Sequence, residues 1–261
     1  MPTVISTVAQ KGGVGKTTTA VALALEAAER GLKTAFIDFD PQANGTGSFT
    51  NIDALPVGVD SYAFLHSDSF EPFAISDNLF LLPATLDLLK LDDEGIDGYF
   101  TLKEKIAEHL GSFDLVVIDT PGTLKTSVLA ALNASDFVYS PIELTQYSIK
   151  AFDEVKKLMT AVRRRFNASL SFLGFVPNRV HGFRVQDGVK VPFQVAEREV
   201  FNDYFAAGRG VLAIITERAD IRQAIQKGKS LSGSSRDSAS AKEELAEFCN
   251  SVFKATGLSD G

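Results

Sequence analysis

Cysteine is almost absent from this chain, and long hydrophobic runs are absent altogether. Cys249 is the only cysteine among 261 residues, so the chain can form no internal disulfide and no cysteine-only metal site. No stretch reaches the roughly 18–20 uninterrupted apolar residues that a membrane-spanning helix needs. The first residues lack the basic and long apolar segments of a secretory signal. The three histidines, His66, His109 and His181, are too scattered to indicate a metal site. These absences predict a cytoplasmic protein in a reducing compartment.

Charge is unevenly distributed along the chain. The net charge is −7, yet residues 1–149 carry 8 Lys/Arg against 20 Asp/Glu, whereas residues 150–229 carry 15 against 8. Such asymmetry is typical of a polyanion-binding face on an otherwise acidic protein. Solvated helix faces that happen to be basic would give the same pattern, so composition leaves both interpretations open.

Strand-like and helix-like segments alternate along the chain. Short apolar runs, such as residues 3–9 and 113–118, are followed by segments with helical spacing of apolar residues, such as 17–30. This pattern predicts an α/β fold with one doubly wound, mainly parallel sheet flanked by helices. The chain shows neither an internal repeat nor a linker, so we expect a single domain over residues 1–261.

The second half of the chain, with its basic part at 150–229, is predicted to continue this alternation. The expected elements are a helix over 148–166, a strand over 171–176, a basic loop over 178–190, a helix over 191–205, a strand over 211–215, a short helix over 219–227, a serine-rich loop over 230–240 and a terminal helix over about 241–256.

A glycine-rich turn, QKGGVGKTT at residues 10–18, joins the first predicted strand to the first predicted helix. Its backbone N–H groups can point at phosphate oxygens, and the helix N-terminus adds a partial positive charge. In such a loop Lys16 reaches the β and γ phosphates of a nucleotide, and the Thr17 hydroxyl holds Mg²⁺. The strict motif has glycine where this chain has Gln10, so the loop is a variant. An ordinary strand–helix connector is the alternative, which the density of glycines disfavours. The predicted ATP-binding residues of the loop are Lys11, Gly12, Gly13, Val14, Gly15, Lys16, Thr17 and Thr18.

QKGGVGKTTTA resembles the deviant Walker A loop of the ParA/MinD family of ATPases, which carries an extra lysine early in the loop, here Lys11. The resemblance implies that Lys11 reaches across a nucleotide-sandwich homodimer to the phosphates bound by the partner. A second cation at developing phosphate charge acts as an arginine finger does elsewhere. The resemblance therefore implies that ATP hydrolysis with Mg²⁺ requires dimerisation, with Lys11, Lys16 and Asp40 as catalytic residues.

Residues 36–44, FIDFDPQAN, resemble a second family segment, LIDxDPQGN, with Ala43 in place of glycine. The resemblance implies that Asp38 lies near Mg²⁺ and that Asp40 orients the attacking water. Paired aspartates at a strand end can instead form a turn and a helix cap.

Residues 113–122, FDLVVIDTPG, resemble the Walker B strand of the family. This match implies that Asp119 binds Mg²⁺ through a water. Gly122 departs from the usual D-x-P-P pattern, and the effect of that change is open. FVPNRV at 175–180 is similar to the segment that contacts the adenine, which makes Asn178 the base-reading amide.

The resemblance also implies a biological role. A ParA-type positioning ATPase binds nonspecific double-stranded DNA as an ATP dimer, and a cargo-bound ParB-like adaptor stimulates its slow hydrolysis. The basic second half of the chain supports this function, because phosphate contacts need cations and carry no sequence information. In the ATP state the protein would then be nucleoid-associated. The predicted DNA-binding residues are Arg163, Arg164, Arg165, Arg184, Lys190, Arg218, Arg222, Lys227 and Lys229.

Three other functions compete with DNA-based positioning. A MinD-like ATPase ends in a basic amphipathic helix that binds membranes, but the terminal helix here starts with acidic turns, so we expect it to dock on the core and expect no membrane partner. A reductase like the nitrogenase iron protein needs cluster-binding cysteines, which one cysteine excludes. A biosynthetic P-loop enzyme, an amidoligase or small-molecule kinase, would need a polar substrate site, and none is recognisable. Because the first predicted strand begins at residue 3, we expect the short ParA class without an operator-binding domain.

Overall fold

The computed structural model describes residues 1–95, 98–123, 125–145, 148–205, 210–217 and 236–258. Within these ranges, strands and helices alternate along the chain, as the sequence pattern predicts. The strands are β1 (Thr3–Thr7), β2 (Thr34–Asp38), β3 (Phe73–Ala74), β4 (Leu79–Leu82), β5 (Leu115–Asp119), β6 (Phe137–Ile142), β7 (Ser171–Pro177), β8 (Phe183–Gln186) and β9 (Val189–Pro192). The helices are α1 (Lys16–Glu29), α2 (Asn44–Phe49), α3 (Ser61–His66), α4 (Gly98–His109), α5 (Thr126–Ala134), α6 (Ser148–Arg165), α7 (Val195–Tyr204) and α8 (Arg236–Thr256).

Seven of these strands form one sheet in the order β3-β4-β2-β5-β1-β6-β7. All neighbouring pairs are parallel except β3 with β4, which is antiparallel. β1 lies between β5 and β6, so the segment that follows β1 emerges near the middle of the sheet. In open parallel sheets ligands bind at the carboxyl ends of the strands. The predicted doubly wound, mainly parallel sheet is confirmed, and its carboxyl edge is the place to look for a site.

Both faces of the sheet are covered, because the central strands are apolar on both sides. Alternate residues such as Ile5 and Phe36 pack into one core with α1 and α8. Their neighbours Val4 and Ile37 pack into a second core with α3, α4 and α5. On the terminal helix α8, Phe248 is fully buried in the first of these cores. The prediction that this helix docks on the core is confirmed, although it begins at Arg236 rather than near 241.

The predicted basic loop over 178–190 is wrong, because the antiparallel pair β8–β9 occupies most of it. Asp187 and Gly188 join the two strands with φ values of 51° and 78°. Two consecutive positive φ values are those of a type I′ turn, which favours the Asp-Gly dipeptide. β9 continues to Pro192, so the helix predicted over 191–205 begins only at Val195.

The strand predicted over 211–215 is reduced to one isolated bridge, between Val211 and Phe175 of β7, and a second bridge joins Thr216 to Val180 beyond the end of β7. The N–H of Phe175 donates to the carbonyl of Gly210 at 2.7 Å, and the N–H of Ile215 donates to the carbonyl of Pro177 at 2.9 Å. The short helix predicted over 219–227 lies outside the described residues, as does the serine-rich loop up to residue 235. Among the described helices, none combines the length and the apolar character that crossing a bilayer requires.

Candidate functional site

A cleft of about 620 Å³ opens at the carboxyl ends of β1, β2 and β5. Its walls come from the glycine-rich loop, the segment after β2, the segment after β5 and the segment after β7. The lining residues are Gly12, Gly13, Gly15, Lys16, Thr17, Thr18, Asp40, Pro41, Gln42, Asn44, Ser48, Leu89, Pro121, Gly122, Thr123, Lys125 and Arg179. The structure therefore brings together the three motifs that the sequence places up to about a hundred residues apart.

The glycine-rich loop turns tightly before α1. Gly13 and Gly15 have φ values of 79° and 101°, a region in which other residues are strained. A Cβ on Gly15 would lie 2.0 Å from Nδ2 of Asn178, and this same Nδ2 donates to the carbonyl of Val14 at 2.8 Å. The buried Asn178 thus supports the loop from the end of β7. Its predicted role as the reader of the adenine base stays a prediction.

Lys16 lies at the floor of the cleft and is only 7% exposed. Burial lowers the pKa of its ammonium group, whereas the nearby carboxylates of Asp119 and Asp40 raise it. A lysine held among carboxylates at a helix N-terminus is a suitable counter-ion for phosphate oxygens.

Asp38 and Asp119 are direct neighbours at the ends of β2 and β5, and both are fully buried. Burial, together with the charge of the other carboxylate in the case of Asp119, raises the pKa of each. The two differ in their partners. Asp38 accepts from the N–H of Thr46 at 2.6 Å, from the Thr46 hydroxyl at 2.8 Å and from the N–H of Asp40 at 3.2 Å. Asp38 therefore anchors the segment that follows its own strand.

Neither buried oxygen of Asp119 meets the geometry of a full hydrogen bond with a described residue, and the Thr17 hydroxyl is at most a weak donor to it. Buried carboxylate oxygens almost always have a partner, so this pair of atoms fits a bound cation or its water. The Thr17 hydroxyl lies close enough to lower the pKa of Asp119. No cluster of three or more His, Cys, Asp or Glu suited to a metal occurs in the described ranges. At nucleotide sites Mg²⁺ is usually held by only a few protein ligands, and water and phosphate oxygens complete its coordination.

Asp40 faces the cleft and also accepts from the N–H of Gln42 at 3.0 Å. One oxygen of its carboxylate therefore supports the turn that the sequence offered as the alternative role, and no hydrogen bond to the other oxygen comes from the described residues. The next turn residue, Ala43, has a φ of 54°. An alanine in the left-handed region costs about 1–2 kcal/mol of conformational energy that a glycine does not. The replacement of the family's glycine by Ala43 therefore adds backbone strain at this turn.

Lys11 immediately precedes Gly12 of the cleft lining, at what is called here the rim of the cleft, and 57% of its side chain is exposed. Its Nζ donates to Oε2 of Glu143 at 2.8 Å, and Nη1 of Arg179 donates to Oε1 of the same carboxylate at 2.9 Å. Burial would raise the pKa of Glu143, but these two cations outweigh it and lower that pKa. Lys11 is therefore tied to its own chain in this structure.

Sequence reasoning missed two residues near the cleft, Glu143 as the partner of the exposed Lys11 and the buried Thr46 as the partner of Asp38. Glu143 follows directly on β6, and its place at the carboxyl edge of a parallel sheet was the available signal. Thr46 has no such signal, because its contact with Asp38 depends on how α2 folds back.

Among the predicted DNA-binding residues, three arginines form one group. Arg163, Arg164 and Arg165 occupy the exposed last turn of α6. Because α6 starts after the carboxyl end of β6 and ends before the start of β7, this group lies at the amino edge of the sheet. It therefore lies at the opposite edge from the cleft.

The remaining DNA-binding candidates divide into two sets. Arg184 is exposed on β8, at the carboxyl side of the sheet. Lys190 on β9 is paired with Glu247 and lies over the ring of Phe183 at 4.6 Å, so its charge is already engaged. The structure does not unite these two residues with the α6 arginines. The second set lies outside the described residues and comprises Arg218, Arg222, Lys227 and Lys229.

A family model described as an AAA domain matches residues 2–172, well over half of the chain. The chain belongs to this family. Its curated relatives include proteins named IncC, Soj and ParA, so the ParA/MinD resemblance drawn from the sequence motifs is confirmed.

Protein IncC of Escherichia coli is 38% identical over 185 residues, which are 66% of this chain and 49% of IncC. The sporulation initiation inhibitor protein Soj of Bacillus subtilis is 30% identical over 181 residues, which are 67% of this chain and 71% of Soj. The chain spans about half the length of the IncC proteins it matches.

Solved structures share the fold over nearly the whole chain. McdA of Cyanothece has a TM-score of 0.82 at 20% identity, covering 97% of this chain and 100% of McdA. A putative plasmid partition protein of Borrelia burgdorferi, bound to AMPPNP, has a TM-score of 0.78 at 23% identity, covering 98% and 100%. Cobyrinic acid a,c-diamide synthase of Mycobacterium smegmatis, with bound ADP and magnesium, has a TM-score of 0.74 at 24% identity. The match covers 100% of this chain and 98% of the synthase. McdA, a putative plasmid partition protein and a biosynthetic enzyme therefore share this fold.

Proposed function

We propose that this chain is a ParA-type ATPase that binds ATP with Mg²⁺, dimerises around the nucleotide and binds nonspecific DNA in that state. The observation that carries the proposal is the buried Asp119 carboxylate near Lys16, which has no hydrogen-bond partner in the described part of the chain, at the base of a cleft formed by a glycine-rich loop. The family membership and the nucleotide in the Borrelia protein support it.

The proposed division of roles follows the contacts. Lys16 and the loop N–H groups bind the phosphates. Thr17 and Asp119 hold Mg²⁺, which supplies charge neutralisation at the phosphates when bound, and Asp38 positions the turn that follows β2. Asp40 orients the attacking water from the cleft wall.

Lys11 acts in the partner subunit under this proposal. Its exposed side chain at the rim of the cleft supports a role in trans, because a long, solvated lysine can reach a facing molecule. Hydrolysis would then depend on dimerisation and would be slow without an adaptor. A Lys11→Ala protein that hydrolyses ATP at the parental rate would remove this role.

DNA binding is proposed from the exposed arginines at the end of α6, from Arg184 and from the basic residues of segment 218–229. A cargo-bound ParB-like adaptor would release the DNA-bound dimer by stimulating hydrolysis, and the protein would be nucleoid-associated in its ATP state. The membrane alternative is not favoured, because α8 buries Leu245, Phe248 and Val252 in the core rather than presenting them.

The test is fluorescence anisotropy with a random-sequence duplex, in ATP–Mg²⁺, in ADP–Mg²⁺ and without nucleotide, across a salt series. We expect binding only with ATP and a steep fall of affinity with salt. Charge removal at Arg163, Arg164 and Arg165, and separately at Arg218 and Arg222, should weaken binding. Lys254→Ala, which removes an exposed charge elsewhere, is the matched control. Absence of binding in every state would refute the DNA role.

A further inference from the structure

Exposed apolar side chains are concentrated in two segments on the carboxyl side of the sheet. Residues 86–94, which follow β4, are called here the acidic end, and residues 179–198, which follow β7, are called here the hairpin end. Nine large apolar side chains are exposed in the described part of the chain, and five of them lie in these two ends. The five are Leu86, Leu89, Val185, Phe193 and Val195. Single exposed apolar residues are ordinary, whereas such a concentration indicates a surface that another molecule covers.

Both ends border the cleft. Leu89 of the acidic end and Arg179 of the hairpin end contribute to its lining. In the sheet order β3-β4-β2-β5-β1-β6-β7, β4 and β7 stand on opposite sides of the strands β2, β5 and β1 at which the cleft opens. A molecule that faces the mouth of the cleft therefore faces both ends at once.

The two ends carry opposite charge. The acidic end has four Asp/Glu against one Lys, and the hairpin end has four Lys/Arg against two Asp/Glu. Asp93 and Arg198 form no ion pair with any residue that the structure describes, so both charges are available to a partner. Arg198 lies beside the exposed Phe193, because its Nη1 donates to the Phe193 carbonyl at 3.3 Å. Opposite charges beside apolar side chains favour contact between two such surfaces.

A second copy of this chain carries the complementary surface. The proposed nucleotide dimer requires the carboxyl sides of two copies to face each other, because Lys11 must reach the phosphates of the partner. Two-fold symmetry then allows two arrangements, one with like ends together and one with the strand order of the partner reversed. Like ends would bring two acidic ends into contact, which charge repulsion opposes, whereas reversal places each acidic end on a hairpin end.

We propose that the acidic end of each copy docks on the hairpin end of its partner. Two identical contacts, apolar and of opposite charge, then lie on either side of the nucleotides and close the dimer. The proposal rests on the proposed function, because it requires the nucleotide dimer.

Cysteine cross-linking tests which ends meet. Cys249, the only native cysteine, is 1% exposed, so an engineered surface cysteine is the group that reacts. Leu86→Cys places a thiol in the acidic end, and Phe193→Cys places one in the hairpin end. With AMPPNP–Mg²⁺ and a flexible bis-maleimide, we expect a covalent dimer when the two variants are mixed. Neither variant alone should give one, and the mixture should give none without nucleotide.

Three results would overturn the proposal. A covalent dimer of either variant alone would mean that like ends meet. A chain with both cysteines should give a closed dimer, so a ladder of longer species would mean open head-to-tail assembly. No covalent dimer in the mixture, although the parental protein dimerises with AMPPNP–Mg²⁺ in sedimentation, would overturn the docking alone. A parental protein that stays monomeric with the nucleotide would overturn the proposed function as well.

A second measurement does not depend on the reach of a cross-linker. Leu86→Ser and Phe193→Ser each remove an apolar side chain from both symmetry-related contacts. We expect each to raise the dimer dissociation constant with AMPPNP–Mg²⁺ about ten-fold or more. Phe100→Ser is the matched control, because Phe100 is also exposed but lies on α4, outside both ends. Equal dissociation constants in the parental protein and all three variants would overturn the proposal.

Discussion

Lys11 forms a salt bridge with Glu143 of its own chain, and the proposed dimer needs this lysine to reach the partner's phosphates. The pair must therefore break in both subunits when the dimer forms. Glu143→Gln keeps the size and much of the hydrogen-bonding capacity of the side chain but removes its charge. We predict that this variant dimerises more tightly in the presence of ATP than the parental protein does.

The expected change in the dimer dissociation constant follows from the solvent exposure of the Lys11–Glu143 pair. The Lys11 side chain is 57% exposed and that of Glu143 is 18% exposed, so solvent screens the attraction. Such pairs contribute about 0.2–1 kcal/mol each. Two broken pairs amount to about 0.4–2 kcal/mol, which corresponds to a roughly 2- to 30-fold lower dimer dissociation constant.

Sedimentation equilibrium with AMPPNP–Mg²⁺ measures this constant directly. Glu247→Gln is the matched control, because it makes the same change in a carboxylate paired with Lys190 on the hairpin rather than with Lys11. Adding Lys11→Ala to both the parental protein and the Glu143→Gln variant should abolish the difference between them, since no lysine then remains to be released.

A Glu143→Gln protein that dimerises no better than the parental protein, or no better than the Glu247→Gln control, would refute this reasoning. The Lys11–Glu143 contact would then be a surface pair without a role in assembly.

Three further predictions concern stability. Gly45→Ala should destabilise the fold by about 1–3 kcal/mol in urea unfolding, because a Cβ would lie 2.8 Å from a buried ring, whereas Gly47→Ala in the same helix meets nothing within 4 Å and should not. Thr46→Val removes a donor to a buried carboxylate and should cost about 1–3 kcal/mol, which Thr46→Ser restores; equal stability of both variants would contradict this. The hydrogen bond to Glu197 raises the pKa of His181. The stabilisation of the fold by this pair is therefore complete below the ordinary histidine pKa of about 6.5 and is lost as pH rises through the raised pKa. His181→Gln should therefore lower Tm more at about pH 5.5 than at about pH 8.5, and a pH-independent difference would count against the pair.

The β8–β9 hairpin was predictable from the sequence, but the prediction gave more weight to basic composition than to the turn dipeptide. The loop prediction relied on the basic composition of residues 178–190, whereas the Asp187-Gly188 dipeptide between alternating residues is the stronger local indicator, because both residues have positive φ. In contrast, no local sequence feature indicates that residues 211–215 fail to form a full strand. Its apolar residues suit a strand, but pairing depends on the few hydrogen bonds that β7 offers at the sheet edge.

The phosphate loop and the two aspartate segments were predictable because their chemistry is local. A tight turn needs glycine, and the cations and carboxylates stand at strand ends or within a few residues of them. The DNA-binding set was less predictable, since charge composition says nothing about which edge of the sheet a residue occupies. The α6 arginines and Arg184 belong to the same basic stretch of sequence and lie at opposite edges in space.

The sequence by itself determined the α/β alternation, the glycine-rich loop and the motif residues of the cleft, because periodicity and backbone sterics act over short stretches of chain. Only the tertiary structure decided that Lys11 pairs with Glu143 and that Gly122 lies next to Lys16. It also decided that Thr46 donates hydrogen bonds to Asp38, whereas Asp119 is left without a hydrogen-bond partner among the described residues. These contacts join residues from different strands and loops. Their distances depend on sheet order and on how each connection packs, and no local pattern encodes either.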